Sequence, residues 1–278
     1  MAVRERFLPP GWYPASEEKT RAKIEDFLTE LGPSDQRPEA VAGIVPHAGW
    51  DFSGRIALDV IRRLNPEHDV VVVVGGHMGV REGVCAAFEE GFRTPLGVIQ
   101  NDLELLEEVG EAIPVRRDSS ADNTVEVQLP MIAYLFPHSR VLAMRAAPSA
   151  AAVELGDILY TAAGRLGRNA VVLGSTDLTH YGDAYGFTPR GRGEDAVEWV
   201  RNINDSRFVD ALLGLQEAQA IDLALRERSA CSAGGAVAAV SFAKKRGATN
   251  GRLLTHSLSY DLAPSSSFVG YAGIIFKA

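Results

Sequence analysis

The chain has 278 residues, 46% hydrophobic and 23% charged, proportions of a folded globular protein that exclude extensive disorder. Its 28 Lys and Arg against 36 Asp and Glu leave a formal net charge of -8, and no basic stretch exists to follow a phosphate backbone, which argues against nucleic acid or an anionic membrane surface as partner. Cys85 and Cys231 are the only cysteines, too few for a disulfide framework and too far apart for a zinc knuckle.

The opening MAVRERFLPPGWYP lacks an apolar core of signal-peptide length, and no uncharged run approaches the ~20 residues of a membrane span. A cytoplasmic location without membrane contact is expected. Ser16 precedes EEKTRAKIEDFLTEL, whose acidic first turn and following Gly32-Pro33 predict a capped helix with an abrupt end. AVAGIV (40–45) reads as a strand, FSGRIALDVIRRL (52–64) as a helix and DVVVVVG (69–75) as a strand covered on both faces, the signature of a parallel sheet. Residues 83–99 carry two short apolar segments around Glu89-Glu90-Gly91 and predict a hairpin or sheet edge. RVLAMRA (140–146), AAAVELGDILYTAAGRL (150–166) and NAVVLG (169–174) form a strand, helix, strand crossover unit. DAYGFTPRGRGED (183–195) reads as a long surface loop, either a plain connector or a lid over a site. A helix over about 232–245 and strands at 252–260 and 267–276 close the chain. No repeat or linker divides it, so one α/β domain over 1–278, a parallel-cored sheet with helices on both faces, is expected.

Three apolar strands run directly into polar groups. AVAGIV leads to Pro46-His47-Ala48-Gly49, VVVVV to Gly75-Gly76-His77, and VVLGS to Thr176-Asp177-Leu178-Thr179-His180. Parallel pairing would gather all three at the carboxyl edge of the sheet, where open α/β sheets bind ligands. Neutral imidazole is the commonest transition-metal ligand, and the glycines beside His47 and His77 leave room for close approach. Cys231 opens CSAGGAVAAV; a helix N-terminus there would draw the thiol toward thiolate and toward metal binding, while a buried structural cysteine is the alternative. Cys85 within GVCAAF reads as structural. His68 and His138 follow Pro-containing turns and are expected at the surface. No GxSxG elbow, phosphate loop, GxGxxG or HExxH occurs.

Taken in order, PHAGWDFSG (46–54), VVVVGGHMG (71–79), DNTVEVQLP (122–130), GSTDLTHYG (174–182) and CSAGG (231–235) resemble the Memo family, which is similar in fold to the class III extradiol dioxygenases. The likeness runs from GWYPAS (11–16) to YAGIIF (271–276). It implies metal ligands at His47, His77 and Cys231, acid/base groups at Asp177 and His180, and a functional carboxylate at Glu126. Where the family usually has Glu-His-Ser, this chain has Asp122-Asn123-Thr124; Asn123 cannot shuttle a proton near neutral pH.

Two imidazoles and one anion on a single face leave coordination positions open, as in non-haem iron oxygenases, although a thiolate softens the set and admits copper or zinc beside iron. The expected function is a mononuclear metal-dependent redox enzyme with iron (Fe2+) first, acting on a small molecule. The resemblance also implies radical-SAM and AMMECR-like proteins as partners. Two alternatives stand beside this reading: a cysteine hydrolase or transferase using Cys231, His180 and Asp177, and a non-catalytic metal-binding or interaction module.

Overall fold

A computed structural model describes residues 2–33 and 38–278. After the short β1 (Val3–Arg4), the Ser16 hydroxyl accepts the Lys19 amide to cap α1 (Glu17–Leu31), and Gly32, at φ 65°, ends it. β2 (Ala40–Val45), α2 (Trp50–Ile61) and β3 (Val70–Gly75) follow. β4 (Val84–Ala86), β5 (Gly91–Thr94) and β6 (Gly97–Gln100) come next, then α3 (Leu103–Ala112), β7 (Val115–Arg117) and the short helices α4 (Asn123–Glu126) and α5 (Leu129–Leu135). The crossover unit is β8 (Arg140–Ala146), α6 (Ala150–Arg165) and β9 (Ala170–Ser175). β10 (His180–Tyr181), α7 (Glu194–Trp199), a π-helical segment at Val200–Asp205, α8 (Ser206–Leu213), α9 (Glu217–Glu227), α10 (Ala233–Lys245), β11 (Gly251–Leu258) and β12 (Phe268–Lys277) complete it.

The main sheet runs β10-β12-β2-β9-β3-β8-β4-β7, with β11 paired to the rest of β12. Its centre, β2, β9, β3 and β8, is parallel; β12 joins β2, and β4 joins β8, antiparallel. The fold is thus α/β with a parallel core, as the valine run predicts. Alternation along β3 shows why that run is unbroken: Val70, Val72 and Val74 face a layer built from α3, α6 and α8 to α10, whereas Val71 and Val73 face α1, α2 and α5. Both faces are dry, so neither admits a polar residue. Among the described residues no helix is long and apolar enough to cross a membrane.

Three local expectations are corrected. The hairpin turns at Pro95-Leu96, not at Glu89-Glu90-Gly91: β5 and β6 pair with each other and with β1 in a separate three-stranded sheet, while β4 stays in the main sheet. The loop expected over 183–195 ends earlier, because Glu194 and Asp195 supply the acidic first turn of α7. His68 is buried rather than exposed, since the Asn65-Pro66 turn folds its ring edge-on against Phe136 and sets Nδ1 2.5 Å from the Asn65 carbonyl oxygen. His138 is at the surface and Cys85 is buried, as read from sequence.

The start of α10 lies directly on the sheet. A Cβ on Gly235 would collide with the Val74 carbonyl, and one on Gly234 with the Ala146 carbonyl. This contact delivers the residues just before α10, Cys231 among them, to the carboxyl ends of the central strands. Gly235→Ala is therefore expected to cost about 1–3 kcal/mol through overpacking, read as a lowered urea midpoint with unchanged slope.

Candidate metal centre

The pairing of β2, β9 and β3 sets Val45 opposite Ser175 and Val74 opposite Gly174. Counting two residues past the ends of these strands gives His47, Asp177 and His77. Three strand ends therefore present their candidate residues at one level. The N-terminus of α10 approaches the same edge, and His47 Nε2, His77 and Cys231 Sγ converge so that their ligand atoms all lie within 4.8 Å of one another.

Each imidazole has its other nitrogen turned to a protein acceptor. His47, 1% exposed, sets Nδ1 3.2 Å from Ser175 Oγ and Nε2 3.2 Å from Cys231 Sγ. His77, on the exposed side, sets Nδ1 3.3 Å from Asp122 Oδ2. Burial, reinforced by the neighbouring His77, lowers the His47 pKa to about 3, so the ring is neutral and able to ligate. The thiol departs from expectation. Burial, and next the Asp177 carboxylate, push Cys231 well above its ordinary value, outweighing the helix amides, because α10 begins only at Ala233.

Asp177 lies beneath this group. Its Oδ1 accepts the His47 amide at 2.7 Å, and its Oδ2 is 3.9 Å from both His47 Nε2 and His180 Nε2. Burial pushes its pKa up to about 6 against the pull of His180 and of the His47 amide. Burial lowers His180 in turn, and its Nε2 has no hydrogen-bond partner among the described residues. A carboxyl and an imidazole with displaced affinities face one another, a pair suited to proton exchange near neutrality.

The loop that carries them is clamped from several sides. Leu178 N–H donates to the Gly270 carbonyl, Gly270 N–H to the Thr179 carbonyl, and Cys231 N–H to the Asp177 carbonyl. From the π-helical segment, Asn204 Nδ2 donates to Thr179 Oγ1, and the wholly buried Asp205 accepts the Thr179 amide at 3.1 Å, with its other oxygen 3.0 Å from His256 Nε2. Above the site opens a cleft of about 490 Å³, walled by Trp12, Phe52, Asn123, Tyr185 and Tyr271.

Comparison with known proteins places this arrangement. A family profile described as "Memo-like protein" matches residues 4–275. The chain belongs to the Memo family. It is 33% identical to a MEMO1 family protein of Methanosarcina acetivorans over the full length of both chains, 31% to one of Methanopyrus kandleri (96% of each chain) and 29% to one of Thermococcus onnurineus (99% of each). Among solved structures, an uncharacterized Escherichia coli K12 protein superposes with a TM-score of 0.55 at 13% identity, over 84% of this chain and 98% of that one, a likeness of fold alone. Fold and membership together agree with the α/β architecture expected of the resemblance.

Of the residues expected at the site of this Memo-family chain, His47, His77, Cys231, Asp177 and His180 are brought together, and Glu126 is not. Its carboxylate accepts the Phe7 and Leu8 amides and the Tyr13 hydroxyl, so it fastens the N-terminal segment. Asn123, at the position of the family histidine, lines the cleft and donates from Nδ2 to the His47 carbonyl at 2.9 Å. Sequence reasoning missed Asp118, Asp122 and Arg145, which form an ion-paired row behind His77: Arg145 reaches Asp118 at 2.5 Å and Asp122 at 3.2 Å.

Burial would raise Asp118, but Arg145 and Ser120 hold it below the usual carboxylate range. A depressed folded-state pKa contributes stability that is fully present above the unfolded value of about 3.9 and lost as pH falls through the folded one. Asp118→Asn should thus cost about 2 kcal/mol at neutral pH. The gap from wild type in denaturant titrations should begin to narrow below about pH 4 and close as pH falls through the lowered folded-state value.

Proposed function

We propose that this Memo-family protein holds one transition-metal ion on His47, His77 and Cys231 and carries out redox chemistry on a small molecule bound in the cleft. The observation that carries the reading is the convergence of three ligand atoms of a suitable kind, with both Nδ1 atoms already committed elsewhere. Bond lengths of about 2.0–2.3 Å to nitrogen and sulfur imply ligand-to-ligand edges of about 3.1–3.6 Å, and the His47 to Cys231 separation of 3.2 Å fits this range. His77 needs only a small approach to complete the face.

Iron is the first candidate and copper or zinc the rivals, because a thiolate with two imidazoles is softer than the two-histidine, one-carboxylate set of non-haem iron enzymes. When bound, the metal would supply open coordination positions and, for iron or copper, electron transfer. The chain's own part is proton handling and orientation. Asp177 and His180 would take or return a substrate proton, and Trp12, Phe52, Tyr185 and Tyr271 would hold an apolar body against that pair.

The geometry disfavours the cysteine-nucleophile alternative. The imidazole against Cys231 Sγ is His47, not His180. Burial lowers the His47 pKa to about 3, which makes it a weak acceptor for the thiol proton, and the thiol itself is raised rather than activated.

Protein purified without added metal is expected to carry about one equivalent of iron or copper by elemental analysis. His47→Ala, His77→Ala and Cys231→Ala should each strip it with the circular dichroism unchanged. None of the three belongs to the apolar core clusters, so none removes a large apolar core side chain worth about 2–5 kcal/mol. Retention should weaken as pH falls, since loading must expel the Cys231 proton. Metal-free wild type with a rapidly alkylated Cys231 would overturn the reading.

A further inference from the structure

His77 poses a problem that His47 does not. The His47 ring is buried and fixed by its surroundings, whereas the His77 side chain is 42% exposed and follows Gly75-Gly76 outside any regular element. Apolar contacts alone cannot hold it. One carboxylate does the holding instead: Asp122 Oδ2 accepts the His77 amide at 3.2 Å and stands 3.3 Å from His77 Nδ1. The same oxygen takes Arg145 Nη1 at 3.2 Å, and the other takes the Thr124 amide at 2.9 Å and the Thr124 hydroxyl at 2.5 Å. Arg145 is in turn locked by two contacts to Asp118, at 3.0 and 2.5 Å, and by Ser120. Gly76, at φ 114°, leaves the space that the Arg145 stem fills.

We propose that Asp122 is the positioning residue of the metal centre, fixing the His77 ring with Nε2 toward His47 and Cys231, and that Asp122 is itself held by Arg145 at the carboxyl end of β8. The proposal rests on the metal reading above. A carboxylate on the far nitrogen of a ligating imidazole selects the tautomer, fixes the ring plane and raises the ligand's basicity, and losing such a partner costs about tenfold to a hundredfold in metal affinity. Arg145 and Thr124 together fix the Asp122 carboxylate where it meets the His77 ring.

Asp122 also caps α4 through Thr124, so the test must separate ligand positioning from local structure. Cobalt(II) is titrated into metal-free protein and followed by its thiolate charge-transfer band, with thermal unfolding of each metal-free variant recorded alongside. Asp122→Asn should weaken cobalt binding about tenfold to a hundredfold, and Asp122→Glu should restore most of the loss. In a His77→Ala background, Asp122→Asn should change affinity by less than about twofold, because the residue acts only through that ring. Wild-type affinity in Asp122→Asn, or an equal loss with and without His77, would overturn the proposal. Wild-type affinity in His77→Ala would instead overturn the metal reading itself.

Discussion

The site depends on the in-register parallel alignment of β2, β9 and β3. Parallel strands advance together, so equal offsets past their ends place residues at equal heights, and His47, Asp177 and His77 all take the second position beyond the ends of their strands. A one-residue slip of β9 would exchange its inward and outward side chains and move Asp177 off the level of the two imidazoles. Two buried faces oppose such a slip, because each would then have to accept the residues chosen for the other. Gly43 of β2 and Gly174 of β9 add to this, because a Cβ at either would collide with Val60 or with Gly235 and Ala236, so only this register leaves the helices room.

Electrostatics arranges what the alignment brings together. Groups nearest the sheet lose solvent, which favours their neutral forms: His47 is held deprotonated, Cys231 protonated, and Asp177 close to the balance point near neutrality. Farther out, Asp118 and Asp122 stay ionised against burial, Asp118 through Arg145 and Ser120 and Asp122 through His77 and Thr124. The centre therefore has a neutral interior and a charged rim on the His77 side. A dication entering such an interior recovers its hydration energy only from the ligands themselves, and this places a premium on their orientation.

Much of this was legible in the chain. The valine run, the crossover unit and the Ser16 cap follow from local periodicity and capping chemistry. The polar clusters after AVAGIV, VVVVV and VVLGS needed only the assumption of parallel pairing. What escaped notice arises between distant segments. The thiol state of Cys231 is decided by Asp177 and by burial, neither visible in CSAGG. Asp122 looks in sequence like a variant of a family motif, and its service to His77 appears only when β8 brings Arg145 beside both. Helix α3, by contrast, was open to detection: Asp102 caps it, and Leu105, Leu106 and Val109 supply the apolar stripe.

The π-helical segment Val200–Asp205 bears on how relatives of this chain should be aligned. Its wider turn accommodates residues that an α-helix of the same span would not, and wide turns of this kind concentrate at functional sites. Losing one of its six residues would let the segment close to the ordinary α-helical pitch while the helices on either side keep their orientation, so the change falls on where the side chains within it point. Asn204 and Asp205 could not then both keep Thr179. A single-residue gap at this point in an alignment therefore marks a relative whose Asp177 and His180 equivalents are held by some other means, even where both residues are retained.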